Sequence, residues 1–193
     1  MRAAAELIAE RGATGTSLDD VRAATSASKS QLYHYFGDKH GLVEAVVEHQ
    51  CASVLGFQAR ALAGVSDWES LERWAQLMVA GVERRRGRGG CPIGTLAAAL
   101  ADTDETLRVN LNEAFRAWSD AIRGALARLR DNGLIAAETD LDRLTTIMLS
   151  AIEGGLLLAK ASRDAAPLRT ALDGAIAQFR ANAPTRRRVT LGR

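Results

Sequence analysis

Lysine, cysteine, proline, histidine and aromatic residues are all scarce in this chain of 193 residues, and several of these scarcities exclude a class of protein. Two cysteines, Cys51 and Cys91, are too few for a disulfide framework and form no zinc set, so a reducing cytoplasm is the expected location. Three prolines leave long stretches in which helices can run, and no repeat interrupts them. No apolar run reaches the roughly 18 to 20 residues of a membrane span, so neither a transmembrane helix nor a membrane partner is expected. The opening MRAAAELIAER reads as an amphipathic helix containing acids, not as a signal peptide. The three histidines, His34, His40 and His49, all fall far from Cys91, and no paired carboxylate or metal-spaced set accompanies them. No catalytic residue, metal ligand or cofactor is therefore assigned, and an enzyme with Cys91 as nucleophile is the weakest of the readings. Positive charge is almost all arginine, 22 against 3 lysines, which with abundant alanine hints at a GC-rich genome.

What is present is a chain with 47% hydrophobic residues, long enough for one or two small helical domains with a sizeable core. Its most informative stretch is SLDDVRAATSASKSQLYHYFGDKHGL, from Ser17 to Leu42. Ser17 precedes an apolar-periodic run and Asp20 follows three residues later, a relative of the capping box. Leu18, Val21 and Ala24 share a face of this short helix. Thr25, Ser26 and Ala27 form a turn, and Ser28 is the N-cap of a second helix running from Lys29 to His34. Leu32, with Tyr35 or Phe36, is expected to face the core. Gly37 and Asp38 break the chain, and Asp38 caps a long helix from Lys39.

Two short helices with a polar second helix are what a helix-turn-helix needs to enter a DNA major groove. Gln31 can pair bidentately with an adenine edge, while Ser30 and His34 can make single base contacts. Lys29, Lys39, and the hydroxyls of Tyr33, Ser17 and Ser28 suit phosphate oxygens, as do the free amides where the Lys39 helix begins. The competing reading is a solvated surface helix in an ordinary bundle. Residues 1 to 50 carry five Lys or Arg against seven Asp or Glu, a balance of −2, so only modest non-specific affinity with a shallow salt dependence is expected.

The segment GATGTSLDDVRAATSASKSQLYHYFGDKHGLVEAVV resembles the DNA-binding domain of the TetR family of bacterial transcriptional regulators, with LYHYF, Lys39 and Leu42 its most specific parts. The resemblance implies an all-α homodimer: an N-terminal three-helix reader carrying the helix-turn-helix, and a larger C-terminal helical ligand-binding and dimerisation domain. By position it assigns DNA contacts to Lys29, Ser30, Gln31, Tyr33, His34 and Lys39. Two departures stand out. Ser26 occupies a turn position where the family usually has glycine, so a residue with a Cβ must accept that geometry. The chain also begins inside the first helix, so an N-terminal arm is either absent or lies upstream of this sequence.

Beyond Leu42 the pattern predicts helices over residues 39–62, 68–86, 95–101, 105–131, 141–162 and 168–183. Val43, Val46, Val47, Gln50, Val54 and Phe57 trace the buried side of the first of these. RRRGRGGCPIG is the clearest loop; its arginines are a phosphate patch or, more simply, cations complementing a helix end. Residues 1–46 are taken as the reader, 47–183 as the ligand and dimer domain, and 184–193 as a flexible basic tail, with Arg186 to Arg188 as a solvating end. GCPIGTLA, residues 90 to 97, is similar to the ligand domain of the LmrA/YxaF-like subgroup of TetR regulators, which favours drug-like or aromatic effectors. Cys91 there is a redox-sensing thiol or, more simply, a buried structural cysteine.

Trp74, Met78, Phe115 and Trp118 supply adaptable apolar surface for a small effector, with plain core as the competing reading. Glu153, within an otherwise apolar helix, either senses a ligand or pairs with an arginine across an interface. Leu144, Ile147, Met148, Ala151, Gly155 and Leu158 form an apolar stripe, and Gly154 with Gly155 allows close backbone approach. With Leu168, Leu172, Ile176 and Phe179 they suggest a four-helix interface between two subunits, or else a hairpin buried within one. The resulting expectation is a repressor that binds an inverted-repeat double-stranded DNA operator as a homodimer and is released by a small molecule. A transcriptional activator or ligand-independent regulator of the same fold is the alternative.

Overall fold

The computed structural model describes residues 1–12 and 15–184, with the side chains of Ala9 and Glu10 left aside. All regular structure among these residues is helical: α1 (Arg2–Arg11), α2 (Leu18–Ala23), α3 (Lys29–Phe36), α4 (Lys39–Ala63), α5 (Trp68–Arg84), α6 (Pro92–Leu100), α7 (Glu105–Asp131), α8 (Leu141–Ser162) and α9 (Ala166–Arg180). The chain forms two compact units, Met1–Ala59 with Arg88–Trp118, and Arg60–Gly87 with the chain from Ser119 onward. Helices α4 and α7 contribute residues to both.

The first unit contains the three-helix head. Leu7 and Ile8 of α1, Leu18 and Val21 of α2, Leu32 of α3, and Leu42, Val43, Val46 and Val47 of α4 are all buried. Burying such side chains is worth about 1.5 to 3 kcal/mol each, enough to hold helices too short to persist alone. The turn expected at Thr25 to Ala27 is present, and Ala24 is the exposed C-cap of α2 rather than part of its buried face. Ser26 needs no glycine-like backbone, since Arg86 and Arg163 are the only non-glycine residues with positive φ among those described. Further along, α6 begins at Pro92, earlier than expected, because proline suits a first helical turn and the Cys91 Sγ accepts the Gly94 amide at 3.4 Å. Cys91 is buried as this cap, and neither cysteine forms a disulfide.

The buried face of α4 passes through Gln58 and Leu62, leaving Phe57 exposed. From Val47 to Gln58 is eleven residues, close to three helical turns, so Gln58 and not Phe57 stays on the inner side. In the second unit Asp67 caps α5 through the Ser70 amide at 2.7 Å, and Leu71, Trp74, Ala75, Met78, Val79 and Val82 form its buried face. The Arg128 guanidinium donates to the backbone oxygens of Val65, at 2.8 Å, and Leu62, satisfying carbonyls left over at the end of α4.

Helices α8 and α9 pack as an antiparallel hairpin. A Cβ at Gly155 would lie 2.8 Å from the Leu168 Cα, so glycine is what lets the two backbones approach. By length and apolarity α8 does match a membrane span, with a mean hydropathy of 1.4, which corrects the expectation that no segment would. Its apolarity exceeds what one buried stripe needs: Leu144, Met148, Ile152 and Gly155 are buried, while Leu157 and Leu158 remain 67% and 59% exposed.

Candidate DNA-binding interface

The head presents α3 outward. Ser28 caps it by accepting the Gln31 amide at 3.2 Å, and the Gln31 Oε1 accepts the Ser28 amide at 2.8 Å, a complete capping box. A second box holds α2, where the Asp20 carboxylate accepts the Ser17 amide at 2.8 Å and Ser17 Oγ accepts the Asp20 amide at 3.2 Å. Donation by the Ser17 hydroxyl to Asp20 Oδ2, and then by the Ser17 amide to the same oxygen, holds the Asp20 carboxyl below its ordinary range, with Arg11 and Lys39 adding favourable charge. Both short helices therefore start from local chemistry encoded four residues at a time, and Leu32 anchors α3 to the head.

Lys29, Ser30, Gln31, Tyr33 and His34 are all exposed on or beside this helix, together with the cap Ser28. The Lys29 ammonium lies 5.6 Å from the Tyr33 ring centroid, one turn along the helix. Of the two aromatic residues weighed for the core, Phe36 turns inward to half-burial and Tyr35 points out at 78% exposure. The Tyr35 ring meets His34 edge-on at 5.7 Å. Tyr35 thereby joins the solvent-facing side of α3: three residues on from Leu32 it shares the helical side of the core, and only packing separates it from Phe36. Gln31 carries an added constraint, because its Oε1 is taken by the cap and only its amide NH2 is left to donate.

After Gly37, whose φ of 70° closes the helix, α4 begins at Lys39 with Asp38 Oδ1 accepting the Gly41 amide at 2.9 Å. Lys39 is exposed at this start, and Ser17 is half-buried at the head of α2. One residue on, the His40 imidazole lies between two carboxylates, Nε2 3.3 Å from Glu44 and Nδ1 3.4 Å from Asp104. This cluster fastens the start of α4 to the turn between α6 and α7 inside the first unit. The eight residues assigned to DNA thus gather on α3 and the two helix starts flanking it.

The residues considered for an effector are more dispersed. Trp74 and Met78 are buried on one face of α5 and Glu153 is half-buried on α8, all in the second unit; Trp118 is buried and Phe115 half-buried on α7 in the first. The Trp118 Nε1 is buried with no hydrogen-bond partner. A cleft of about 650 Å³ between α5 and α9, lined by Glu72, Gln76, Val79, Arg169, Leu172 and Arg180 among others, contains none of them. Of the residues expected at a subunit interface, Gly155, Leu172, Ile176 and Phe179 are buried within the chain itself, so they present no surface to a partner. The reason is that α8 and α9 spend their first apolar stripes on each other. Ile147 and Ala151 are half-buried, and Gly154 and Leu158 are exposed. Apart from Pro184, the basic tail lies outside the described residues.

Comparison with known proteins agrees with this geometry. Residues 1–46 match the family of bacterial regulatory proteins of the tetR type, and residues 68–174 match the C-terminal domain of LmrA/YxaF-like transcriptional regulators. An HTH-type transcriptional regulator from the lacX 3′ region of Lactococcus lactis is 29% identical over 178 residues, spanning 90% of this chain and 87% of its own. The HTH-type transcriptional regulator LmrA of Bacillus subtilis is 26% identical over 170 residues, covering 87% and 88%. The fold is that of a TetR regulatory protein from Rhodobacter sphaeroides, with a TM-score of 0.83 at 22% identity over 92% of this chain and 95% of that one. A reader with two capping boxes and an outward polar α3, followed by an LmrA/YxaF-like helical domain, places this chain in the TetR family of transcriptional regulators.

Proposed function

We propose that the protein is a homodimeric repressor that binds an inverted-repeat operator and is released by a small, hydrophobic or aromatic molecule. The observation that carries the reading is α3 itself: a rigidly capped helix with Lys29, Ser30, Gln31, Tyr33, His34 and the added Tyr35 all facing solvent. Ser30, His34 and the Gln31 NH2 serve as base readers, while Lys29, Tyr33, Lys39, Ser17 and Ser28 serve phosphates. In a dimer the two α3 helices lie in major grooves about 34 Å apart, one turn of duplex. Residues 1–46 act as the reader and residues 47–183 as the effector and dimer region, working in the cytoplasm.

The dimer forms on the outer side of α8, where Gly154, Leu157 and Leu158 are exposed and Ile147 and Ala151 half-exposed. Small and apolar residues there let two such helices pack closely across a two-fold axis. Trp74 and Met78 of the second unit are assigned as apolar effector contacts, with Glu153 as a polar one, and Phe115 and Trp118 of the first unit are assigned as effector contacts in their own right. The partnerless Trp118 Nε1 supports this, since an acceptor on the effector would satisfy a donor that is costly to bury alone. Release requires that the effector bind more tightly to a conformation whose readers are wrongly spaced.

Selection of bound sequences from a random duplex pool tests the reading. A pair of inverted half-sites about one helical turn apart is the expected product; no enrichment, or a single unpaired half-site, overturns it. Gel shifts of the selected duplex against a library of aromatic compounds then separate a ligand-released repressor from a ligand-independent regulator.

A further inference from the structure

Uncompensated positive charge collects at one place in the second unit. Arg73, Arg123, Arg169 and Arg180 are each held by a carboxylate, from Glu69, Asp142, Glu83 and Glu72 respectively. Arg84, Arg85 and Arg86 follow one another at the end of α5, and Arg163 sits at the end of α8; all four are exposed, and none has an ion pair among the described residues. Of the nearby acids, Glu83 is paired with Arg169 at 2.7 Å, while Asp164, accepting the Ala166 amide at 3.0 Å, keeps its charge beside Arg163 and offsets part of that one cation.

These two segments are joined by their backbones. A Cβ at Gly87 would lie 2.7 Å from Arg163 Cα and carbonyl carbon, and 2.8 Å from the Ala159 oxygen, at a φ of +68°. The Gly87 amide also donates to Val82 O at 3.0 Å, so the arginines are displayed on ordered chain. Arg86 and Arg163 both have left-handed backbone, with φ of 51° and 59°. Complementing helix dipoles accounts for only part of the charge. Each helix end carries about half an elementary charge, so the two ends meeting here offset about one of the four cations.

We propose that Arg84, Arg85, Arg86 and Arg163 form an accessory contact to the DNA phosphate backbone, supplying sequence-independent affinity that the acidic reader lacks. Four exposed charges on two adjoining segments suit a ligand with repeated negative charges, whereas a single small anion needs converging, buried donors. The inference rests on the DNA-binding reading above and extends it to a second surface.

The test uses the full-length protein with a duplex selected by the wild type and a random duplex of equal length, titrated from low to moderate salt. For the R84Q/R85Q/R86Q variant, which removes six arginines from the dimer, the slope of log affinity against log salt should become shallower by about 5, at about 0.9 per phosphate contact. Affinity for both duplexes should fall by the same factor, leaving their ratio unchanged. Arg163→Asn, which tolerates the left-handed backbone, should remove about two units of slope from the dimer without disturbing the fold. The charge-conserving R84K/R85K/R86K variant should keep the wild-type slope. Unchanged slopes in both charge-removing variants overturn the accessory contact while leaving the reader intact, as does loss of slope in the lysine variant. A wild type that binds neither duplex overturns the DNA-binding reading itself.

Discussion

Gln31 holds two duties that compete for one side-chain amide. Its Oε1 closes the α3 capping box on the Ser28 amide, so a bidentate grip on adenine would open the cap. Gln31→Glu separates the duties, since glutamate serves equally at this position of the box but has no amide to donate. Thermal stability should stay within about 0.5 kcal/mol of wild type, while operator affinity falls about tenfold or more, consistent with loss of one good base contact and a new charge near phosphate. Unaltered affinity in a binding titration would show that Gln31 is only a cap. Asp20 offers a pH test. Ser17 lowers its folded pKa, so its contribution is fully present above the ordinary aspartate value of about 4 and is lost as pH falls through the lower folded value. An acid titration followed by far-ultraviolet circular dichroism should show this loss, and Asp20→Asn should lack that step; identical acid profiles would remove Asp20 as its source.

At the scale of elements, helix starts were legible and helix faces less so. Ser17, Ser28 and Asp38 were readable as caps because each acts on amides within three residues. The choice between Tyr35 and Phe36 stayed open in the sequence, and Phe57 lies outside the buried face expected of it, because adjacent positions on a helix differ by about 100° and only the neighbouring helices choose between them. The α8–α9 seam is the most sensitive element. Gly155→Ala sets a methyl against the Leu168 backbone, which cannot yield as a flexible side chain would, and should cost about 1 to 3 kcal/mol in denaturant unfolding. The same change at Gly154, where nothing lies within 4 Å, should not destabilise the protomer, and equal effects at the two sites would contradict the close approach. Trp118→Phe keeps a ring on α7 but removes its partnerless donor. Operator binding should survive, while the effector concentration needed for release rises about tenfold, as for one lost hydrogen bond of about 1.4 kcal/mol.

For the whole molecule, the proposed repressor turns on the distance between two readers, which exists only in a dimer. Leu158→Lys places a charge on the exposed side of α8 and should shift sedimentation from dimer to monomer without lowering protomer stability. Operator affinity should then drop steeply, because two linked half-site contacts become one. A variant that stays dimeric would move the interface away from this face.

Local chemistry in the sequence determined the helical class and the two short helices of the head with their caps, because those depend on amides and side chains a few positions apart. Tertiary structure alone decided which apolar stripe of α8 is spent inside the protomer, and that Leu172, Ile176 and Phe179 are not available to a second subunit. It also decided that the arginines ending α5 meet Arg163 across the contact at Gly87. Periodicity states how many faces a helix must bury; only the packed neighbours state what each face meets.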